Sequence, residues 1–77
     1  NLNLNQGWSL IAFGCENNAQ AEMVFFPIQD NLIIAKDVHG NAYLPSWNYN
    51  GLGNLERGFG YKVKLAEDLE NYNICNH

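Results

Sequence analysis

The sequence predicts one small domain of the α+β class, mainly β. We expect five to six strands in a curled antiparallel sheet or a partly open barrel, with one short helix over about residues 18–26. Several short segments alternate apolar and polar side chains, as strands do, and one segment alone has the three- and four-residue spacing of a helix. The chain has 77 residues and ten aromatic side chains. That length allows a single core, so residues 1–77 are predicted to form one module.

The first strand is predicted from the alternation of Leu2 and Leu4 with asparagines. Beyond Gly7 the same parity continues through Trp8 and Leu10, and the opposite face also becomes apolar. This pattern is typical of a strand that becomes central in its sheet. A bulge at residues 6–7 is the alternative, and it would exchange the two faces.

The helix is predicted between two local signals. Asn17 or Asn18 is a candidate N-cap, and apolar residues recur at helical spacing through the following segment. Pro27 cannot continue a helix interior, so we expect about two turns that end near Phe25 or Phe26.

The remaining strands follow turn signals. Residues 32–36 indicate a buried strand, residues 37–41 a tight turn rich in Asn and Gly, and residues 42–44 its hairpin partner, which Pro45 ends. Residues 47–57 have a loop-like composition. Alternation then predicts strands over 61–65 and around 71–75.

The chain resembles small modules found in secreted and surface-attached proteins of Bacteroidetes-like bacteria. These modules share an opening alternating-Leu strand with a GWxLI segment, a central VFxPIxDNLxIxKDxxGNxYxP pattern and a closing LGNLxxGxGYxVK pattern. The matching positions are Leu2, Leu4, Gly7 to Ile11, Val24 to Asp37, Gly40, Asn41, Tyr43, Pro45, Asn50, Leu52 to Leu55, Gly58, Gly60, Tyr61, Val63 and Lys64. The resemblance implies an accessory or spacer domain of a larger exported protein and implies no particular activity or ligand.

The charge balance limits the classes of partner. The net charge is −4, and the four basic residues, Lys36, Arg57, Lys62 and Lys64, are spread along the chain. A nucleic-acid or anionic-membrane surface needs concentrated basic charge, so we expect neither partner and no membrane insertion.

Cys15 and Cys75 are the only cysteines and lie near opposite ends of the sequence. Either they form a disulfide or they remain free thiols. A bridge would close a loop of roughly 60 residues and stabilise the fold by about 4 kcal/mol in the chain-entropy model. With the surface composition and the resemblance, a possible disulfide leads us to expect an extracellular or cell-surface location.

The best candidate ligand-binding residues are Tyr43, Trp47, Asn48, Tyr49 and Asn50. Sugars pack their CH faces on aromatic rings, and amide side chains provide orienting hydrogen bonds. The competing interpretation is that Tyr43 and Trp47 are core aromatics.

No catalytic, metal-binding or cofactor-binding residues are predicted. Residues 37–41 superficially resemble a calcium loop, but an ordinary hairpin turn fits better because His39 replaces an oxygen ligand. Cys15, Cys75 and His77 lack the spacing of a zinc site, so a disulfide is the stronger interpretation. Cys15 or Ser46 with His39 lacks the motifs that accompany nucleophilic catalysis.

The sequence therefore predicts a non-catalytic structural module: an accessory, spacer or protein-interaction domain of an exported bacterial protein. Its partners would be neighbouring domains of the same protein or further copies of itself. Carbohydrate binding through the Tyr43 to Asn50 region is the first alternative. The second is a self-assembling subunit of an extracellular structure or filament that pairs through edge strands at residues 1–5 and 71–73.

Overall fold

The structure is a computed structural model that describes residues 2–75. In this range the chain forms nine strands and one α-helix, so the prediction of a mainly β, α+β domain is confirmed. The strands are β1 (Leu2–Leu4), β2 (Gly7–Ala12), β3 (Ala19–Gln20), β4 (Leu32–Lys36), β5 (Ala42–Leu44), β6 (Tyr49–Asn50), β7 (Asn54–Leu55), β8 (Gly60–Leu65) and β9 (Leu69–Tyr72). The helix is α1 (Ala21–Phe25).

Five strands make an open antiparallel sheet in the order β2-β8-β4-β5-β6. Two antiparallel ribbons, β1-β9 and β3-β7, complete the described fold. The sheet does not close into a barrel, because β2 and β6 stand at its two ends with one neighbour each. Of the two predicted architectures, the curled sheet is therefore the observed one.

The core lies against one face of this sheet, which we call the inner face. Alternate residues of β8 point inward, with Tyr61, Val63 and Leu65 nearly inaccessible to solvent. The helix contributes Val24 and Phe25 to the same core. The two-residue period of the strands thus produces one buried and one open face, as a single-layer sheet requires.

In the N-terminal segment, the inward-facing side chains change from even-numbered to odd-numbered residues at Gly7. Leu2 and Leu4 pack against the core, but beyond Gly7 the odd-numbered residues turn inward, and Trp8 and Leu10 are exposed. Gly7 has φ +92°, which a glycine adopts without steric cost. The prediction of a central strand after Gly7 is therefore wrong, and the alternative in which the faces exchange at residues 6–7 is the observed one.

The terminal segments pair with each other. In the β1-β9 ribbon, Leu2 lies opposite Tyr72 and Leu4 opposite Leu69. The last strand therefore begins and ends earlier than the predicted 71–75. In the part of the chain that the structure describes, β1 and β9 each have one partner strand, so both are edge strands of their ribbon, as the sequence indicated, and the main sheet has further edges at β2 and β6.

The helix is shorter than the predicted 18–26. After Phe25 the chain tightens into a 3-10 turn over Phe26–Ile28, with Pro27 near its start. The hydroxyl of Tyr72 donates a hydrogen bond to the carbonyl of Val24, one of the terminal carbonyls that lack a partner inside the helix. The predicted cap does not form, because the Asn18 side chain accepts a hydrogen bond from the backbone N–H of Arg57.

The hairpin over residues 37–41 is confirmed. One carboxylate oxygen of Asp37 accepts hydrogen bonds from the backbone N–H groups of His39 at 2.8 Å and Asn41 at 3.0 Å, and the other accepts from the Asn41 side chain at 3.0 Å. Burial acts to raise the pKa of the Asp37 carboxyl, but these hydrogen bonds outweigh it and lower the pKa.

Residues 47–57 are more regular than the predicted loop, because they contain the short strands β6 and β7. Asparagines hold much of the irregular backbone here and elsewhere. Asn48 and Asn71 adopt positive φ, and the Asn31 side chain both donates to and accepts from the backbone of Glu67. Asparagine suits these positions because it tolerates positive φ and forms local hydrogen bonds with the backbone.

A disulfide joins Cys15 to Cys75, with 5.5 Å between their Cα atoms. Cys15 is buried and Cys75 is exposed, so the bridge attaches the C-terminal end of the described chain to the core. This resolves the two cysteine interpretations in favour of the bridge. No helix within residues 2–75 has the length and hydropathy needed to cross a membrane.

Candidate functional site

The outer face of the five-stranded sheet has no layer of described structure packed over it, and it carries an unusual group of side chains. Trp8 and Leu10 lie on β2, Lys62 and Lys64 on β8, and Lys36 on β4. We call these five residues the Trp8 face. Trp8 is 51% exposed and Leu10 is 73% exposed, which is high for large apolar residues in a sheet.

Strand register brings these residues together. Trp8 lies opposite Lys64, Leu10 lies opposite Lys62, and Lys62 in turn lies opposite Lys36 on its other side. Residues directly opposite in neighbouring strands have Cβ atoms about 5 Å apart. Positions far apart in the sequence are therefore immediate neighbours.

The Trp8 ring is the centre of the group. The Lys36 ammonium lies 5.1 Å and the Lys64 ammonium 5.9 Å from the ring centroid, both within cation–π distance. The aliphatic stems of these lysines extend along the same apolar surface. Trp8 thus holds two positive charges close to one exposed aromatic plane.

The three ammonium groups have no anionic partner within the described chain. No carboxylate of residues 2–75 lies within ion-pair distance of Lys36, Lys62 or Lys64. The nearby Asp37 uses its carboxylate inside the hairpin turn. The face therefore presents concentrated, uncompensated positive charge on a protein whose net charge is −4.

Two shallow depressions flank Lys36 and Lys62. One, of about 380 Å³, is lined by Trp8 and these two lysines. The other, of about 360 Å³, continues past Leu10 and Val38. Both depressions are therefore lined by lysine side chains together with apolar ones.

The predicted site at residues 43–50 is not brought together. Tyr43 is a core residue whose ring stacks on Phe25 with centroids 6.0 Å apart. Burial raises the pKa of the Tyr43 hydroxyl, and the charge of Glu22 raises it further. The interpretation of Tyr43 as a core aromatic is confirmed.

The two predicted asparagines shape the backbone of the same region. The Asn50 side-chain oxygen accepts hydrogen bonds from the N–H groups of Leu52 and Gly53, while its NH₂ group donates to Glu22 at 3.2 Å. Asn48 adopts the left-handed conformation that ends the 3-10 turn over Pro45–Trp47. Both asparagines therefore hold the backbone of this region, and the structure gives neither a ligand-binding arrangement.

Trp47 and Tyr49 are the exposed members of the predicted set. Trp47 is 79% exposed, so its interpretation as a core aromatic is wrong. Tyr49 is 55% exposed, and its hydroxyl would lie 2.6 Å from a Cβ placed on Gly51. The absence of a side chain at residue 51 thus allows the ring to lie against the backbone.

The groups considered for metal binding and catalysis occupy other roles. Cys15 is committed to the disulfide, and no cluster of three or more His, Cys, Asp or Glu side chains converges within the described residues. His77, part of the zinc interpretation, lies outside the residues that the structure describes.

The Trp8 face is the feature that the sequence did not predict, because its lysines are scattered along the chain. The structure gathers three of the four basic residues on neighbouring strands. The alternation Lys62-x-Lys64 indicates that two of them share a face, but the position of Lys36 depends on the β4-β8 register. Comparison with protein-family models, curated proteins and solved structures found no match to this chain.

Proposed function

We propose that this chain is a non-catalytic protein-interaction module of an exported bacterial protein, and that its Trp8 face binds an acidic protein segment. The observation that carries the proposal is the cluster of three uncompensated lysines around an exposed tryptophan. Interface centres are enriched in aromatic residues, and complementary charge guides a partner to them.

The register of the lysines adds support. Lys36 and Lys62 lie directly opposite each other, and like charges in this arrangement destabilise a sheet. The cation–π contact with Trp8 accounts for Lys36, but not for the placement of Lys62 opposite it. A partner that places carboxylates between the two ammonium groups would compensate the repulsion.

The size of the cluster favours a protein segment over nucleic acid. Electrostatic binding of DNA depends on neutralising many phosphates, for example about 6 to 10 in strongly salt-dependent complexes. Three lysines on an otherwise acidic chain provide less charge than that. A short acidic peptide needs only a few carboxylates to match it.

Binding is tested with a variant that has a single tryptophan. Trp47→Phe leaves Trp8 as the only indole, so its fluorescence reports on the Trp8 face. We expect a glutamate-rich peptide to change this signal at low salt and a lysine-rich peptide of equal length to leave it unchanged. The affinity should fall as salt rises, because the ammonium groups are solvent-accessible.

Charge reversal gives the matched control. Lys62→Glu and Arg57→Glu change the net charge equally, but Arg57 lies in the turn before β8 and off the Trp8 face. We expect Lys62→Glu to weaken binding about tenfold and Arg57→Glu to weaken it far less. Equal losses in the two variants would show that net charge, and not this face, governs the binding.

Export is supported by the disulfide, since such bridges persist in oxidising compartments and are rare in a reducing cytosol. Trapping free thiols in the natural host, followed by mass spectrometry, tests this part. We expect Cys15 and Cys75 to be oxidised in the extracellular or surface fraction. Free thiols at both positions in the native protein would contradict it.

A second candidate function is glycan binding by Trp47 and Tyr49, because both rings are exposed close to each other in the chain. In a Trp8→Phe variant, Trp47 becomes the sole fluorescent reporter. Soluble glycans that shift its emission, with the shift lost in Tyr49→Ala, would support this candidate. No shift with any glycan would remove it.

A further inference from the structure

Strand β2 forms an open edge of the main sheet. It runs six residues, Gly7–Ala12, and pairs with β8 on one side only. No other strand within residues 2–75 pairs with its second side.

The direction of its backbone groups follows from the hydrogen bonds of Phe13. Its N–H donates to Phe59 and its carbonyl accepts from Gly58, so Phe13 faces the β8 side. Backbone groups alternate along an antiparallel strand, and the odd residues of β2 therefore bond to β8. The N–H and C=O groups of Trp8, Leu10 and Ala12 point to the open edge.

This edge lacks the features that usually prevent strand pairing. The sequence of β2, Gly-Trp-Ser-Leu-Ile-Ala, contains no charged residue and no proline. Its pairing with β8 is regular through all six residues, without a bulge inside β2. Natural edges are normally blunted by lysine, proline, bulges or short length.

We propose that β2 pairs antiparallel with β2 of a second copy, across a twofold axis at Leu10, to give a homodimer with a continuous ten-stranded sheet. This register joins Leu10 to its own counterpart and Trp8 to Ala12 of the partner copy. It uses every outward backbone group of β2, for up to about six hydrogen bonds. A shift by two residues would leave some of these groups unpaired.

The side chains on the outer face are complementary in this register. The two exposed Leu10 side chains meet at the axis, and each large Trp8 ring lies beside the small Ala12 of the other copy. Cross-strand pairs of this kind are what stabilise an antiparallel ladder.

The β2 strand carries no charged residue of its own, so two copies of it pair without like charges in direct contact at this edge. The backbone positions of the lysines in the two copies lie at least three strand spacings apart, about 14 Å, because Lys62 and Lys64 are on β8 and Lys36 is on β4. The ammonium groups of Lys36 and Lys64 reach over the Trp8 ring, so part of their repulsion acts at the contact, and salt should screen it.

One six-residue strand buries less surface than the roughly 1,200 Å² of a stable specific interface, so the dimer is expected to be weak. We expect a concentration-dependent dimer in sedimentation between about 10 μM and 1 mM. Because each copy carries a net charge of −4, association should strengthen with added salt. Acidic-peptide binding by the Trp8 face should weaken with salt, so the two proposals respond oppositely.

Amide exchange measured by NMR locates the contact. In dilute protein the Trp8, Leu10 and Ala12 amides should exchange fast, and the Ser9 and Ile11 amides slowly. Raising the concentration should protect the first group selectively. Dimerisation without this protection would overturn the β2 register and indicate another surface.

Complementary charges at the axis provide the decisive variants. Leu10→Lys and Leu10→Glu should each raise the dimer dissociation constant about tenfold or more, because like charges then meet across the axis. Mixing the two variants should restore a heterodimer, which misfolded protein would not do. Val38→Lys is the control, since Val38 is equally exposed but lies in the hairpin turn.

A wild-type protein that stays monomeric at about 1 mM in high salt would overturn the proposal and leave this edge available to a strand of a different protein. A dimer that persists unchanged in both Leu10 variants would overturn it as well.

Discussion

Removing the Cys15–Cys75 disulfide should be the most damaging small change to this fold. The bridge spans 60 residues of sequence, which is most of the 77-residue chain. The chain-entropy relation for a closed loop of that length gives about 4 kcal/mol at 25 °C. Domains of this class have a free energy of unfolding of about 5 to 15 kcal/mol in total.

The loss should be large in thermal unfolding. A 77-residue domain has an unfolding entropy of about 160 cal/mol/K, so each kcal/mol corresponds to about 6 °C. Loss of the bridge should therefore lower Tm by about 25 °C. The denaturant m-value should rise, because the uncrosslinked unfolded chain exposes more surface.

Two experiments distinguish the stability that comes from the crosslink from the stability that comes from local packing around the cysteines. Reduction of the wild-type protein breaks the bridge and keeps both sulfur atoms, whereas Cys15→Ala with Cys75→Ser also removes a buried sulfur at residue 15. We expect the double variant to be slightly less stable than the reduced wild type, and to be insensitive to reductant. Urea unfolding monitored by circular dichroism measures both.

A destabilisation below about 1 kcal/mol on reduction, with an unchanged m-value, would refute this reasoning. It would mean that the reduced unfolded chain gains little freedom when the bridge is broken, contrary to the loop-closure argument.

Three further predictions concern local features. Burial raises the pKa of Tyr72 from 10.0 to about 12, so the unfolded state ionises first and the free energy of unfolding should fall as pH rises from 10 towards 12. The Tyr72→Phe variant should abolish that fall. At pH 7 it should also cost about 1 to 2 kcal/mol in urea unfolding, because the Val24 carbonyl loses its hydrogen-bond donor. The lowered pKa of Asp37 means that its contribution is present at neutral pH and lost on acidification; Asp37→Asn should lower Tm by about 3 °C at pH 7, with a difference that shrinks towards pH 3. Gly58 has φ +88° and open space at its Cβ position, so Gly58→Ala should cost about 1 to 2 kcal/mol in backbone strain alone, whereas Gly14→Ala, with open space and no positive φ, should cost much less in the same urea titration. The Tyr72 argument fails if the stability difference between wild type and Tyr72→Phe does not change with pH. The Asp37 argument fails if the Tm difference is the same at pH 7 and pH 3. The glycine argument fails if the two glycine variants lose equal stability.

Features set by local chemistry were predictable from the sequence. The hairpin at residues 37–41 depends on the Asp37 side chain and its near neighbours, all within five positions. The helix end depends on Pro27, which acts on the residues directly around it. In both cases the signal and its structural effect lie in the same short segment.

Features set by long-range pairing were not predictable in the same way. Alternation along residues 2–12 is compatible with either parity after Gly7, and the contact of β2 with β8 selects the observed one. The exposure of Trp8 follows from that selection. The Lys36–Lys62 pair likewise depends on a register between strands 26 residues apart in sequence. A single sequence contains no direct signal for either pairing.

The Lys36–Lys62 pair also bears on whether the exposed outer face serves binding or is only a consequence of the small size of the protein. A chain of this size has too few elements to cover both faces of a five-stranded sheet, so some exposure of the outer face is expected. Size does not explain two lysines placed directly opposite each other on neighbouring strands, which is an unfavourable pairing.

If that arrangement is kept for binding, removing it should improve the fold and impair the site. Lys62→Glu converts the repulsive pair into an attractive one and leaves both ammonium contacts to Trp8 in place, since those come from Lys36 and Lys64. We expect a gain of about 0.5 to 1 kcal/mol in the free energy of unfolding, together with weaker binding of the glutamate-rich peptide. Arg57→Glu, which changes the net charge equally, should produce neither effect. If Lys62→Glu stabilises the fold but leaves peptide binding unchanged, the lysines only cover the Trp8 ring. If Lys62→Glu destabilises the fold, the repulsion between Lys36 and Lys62 is already relieved within the sheet.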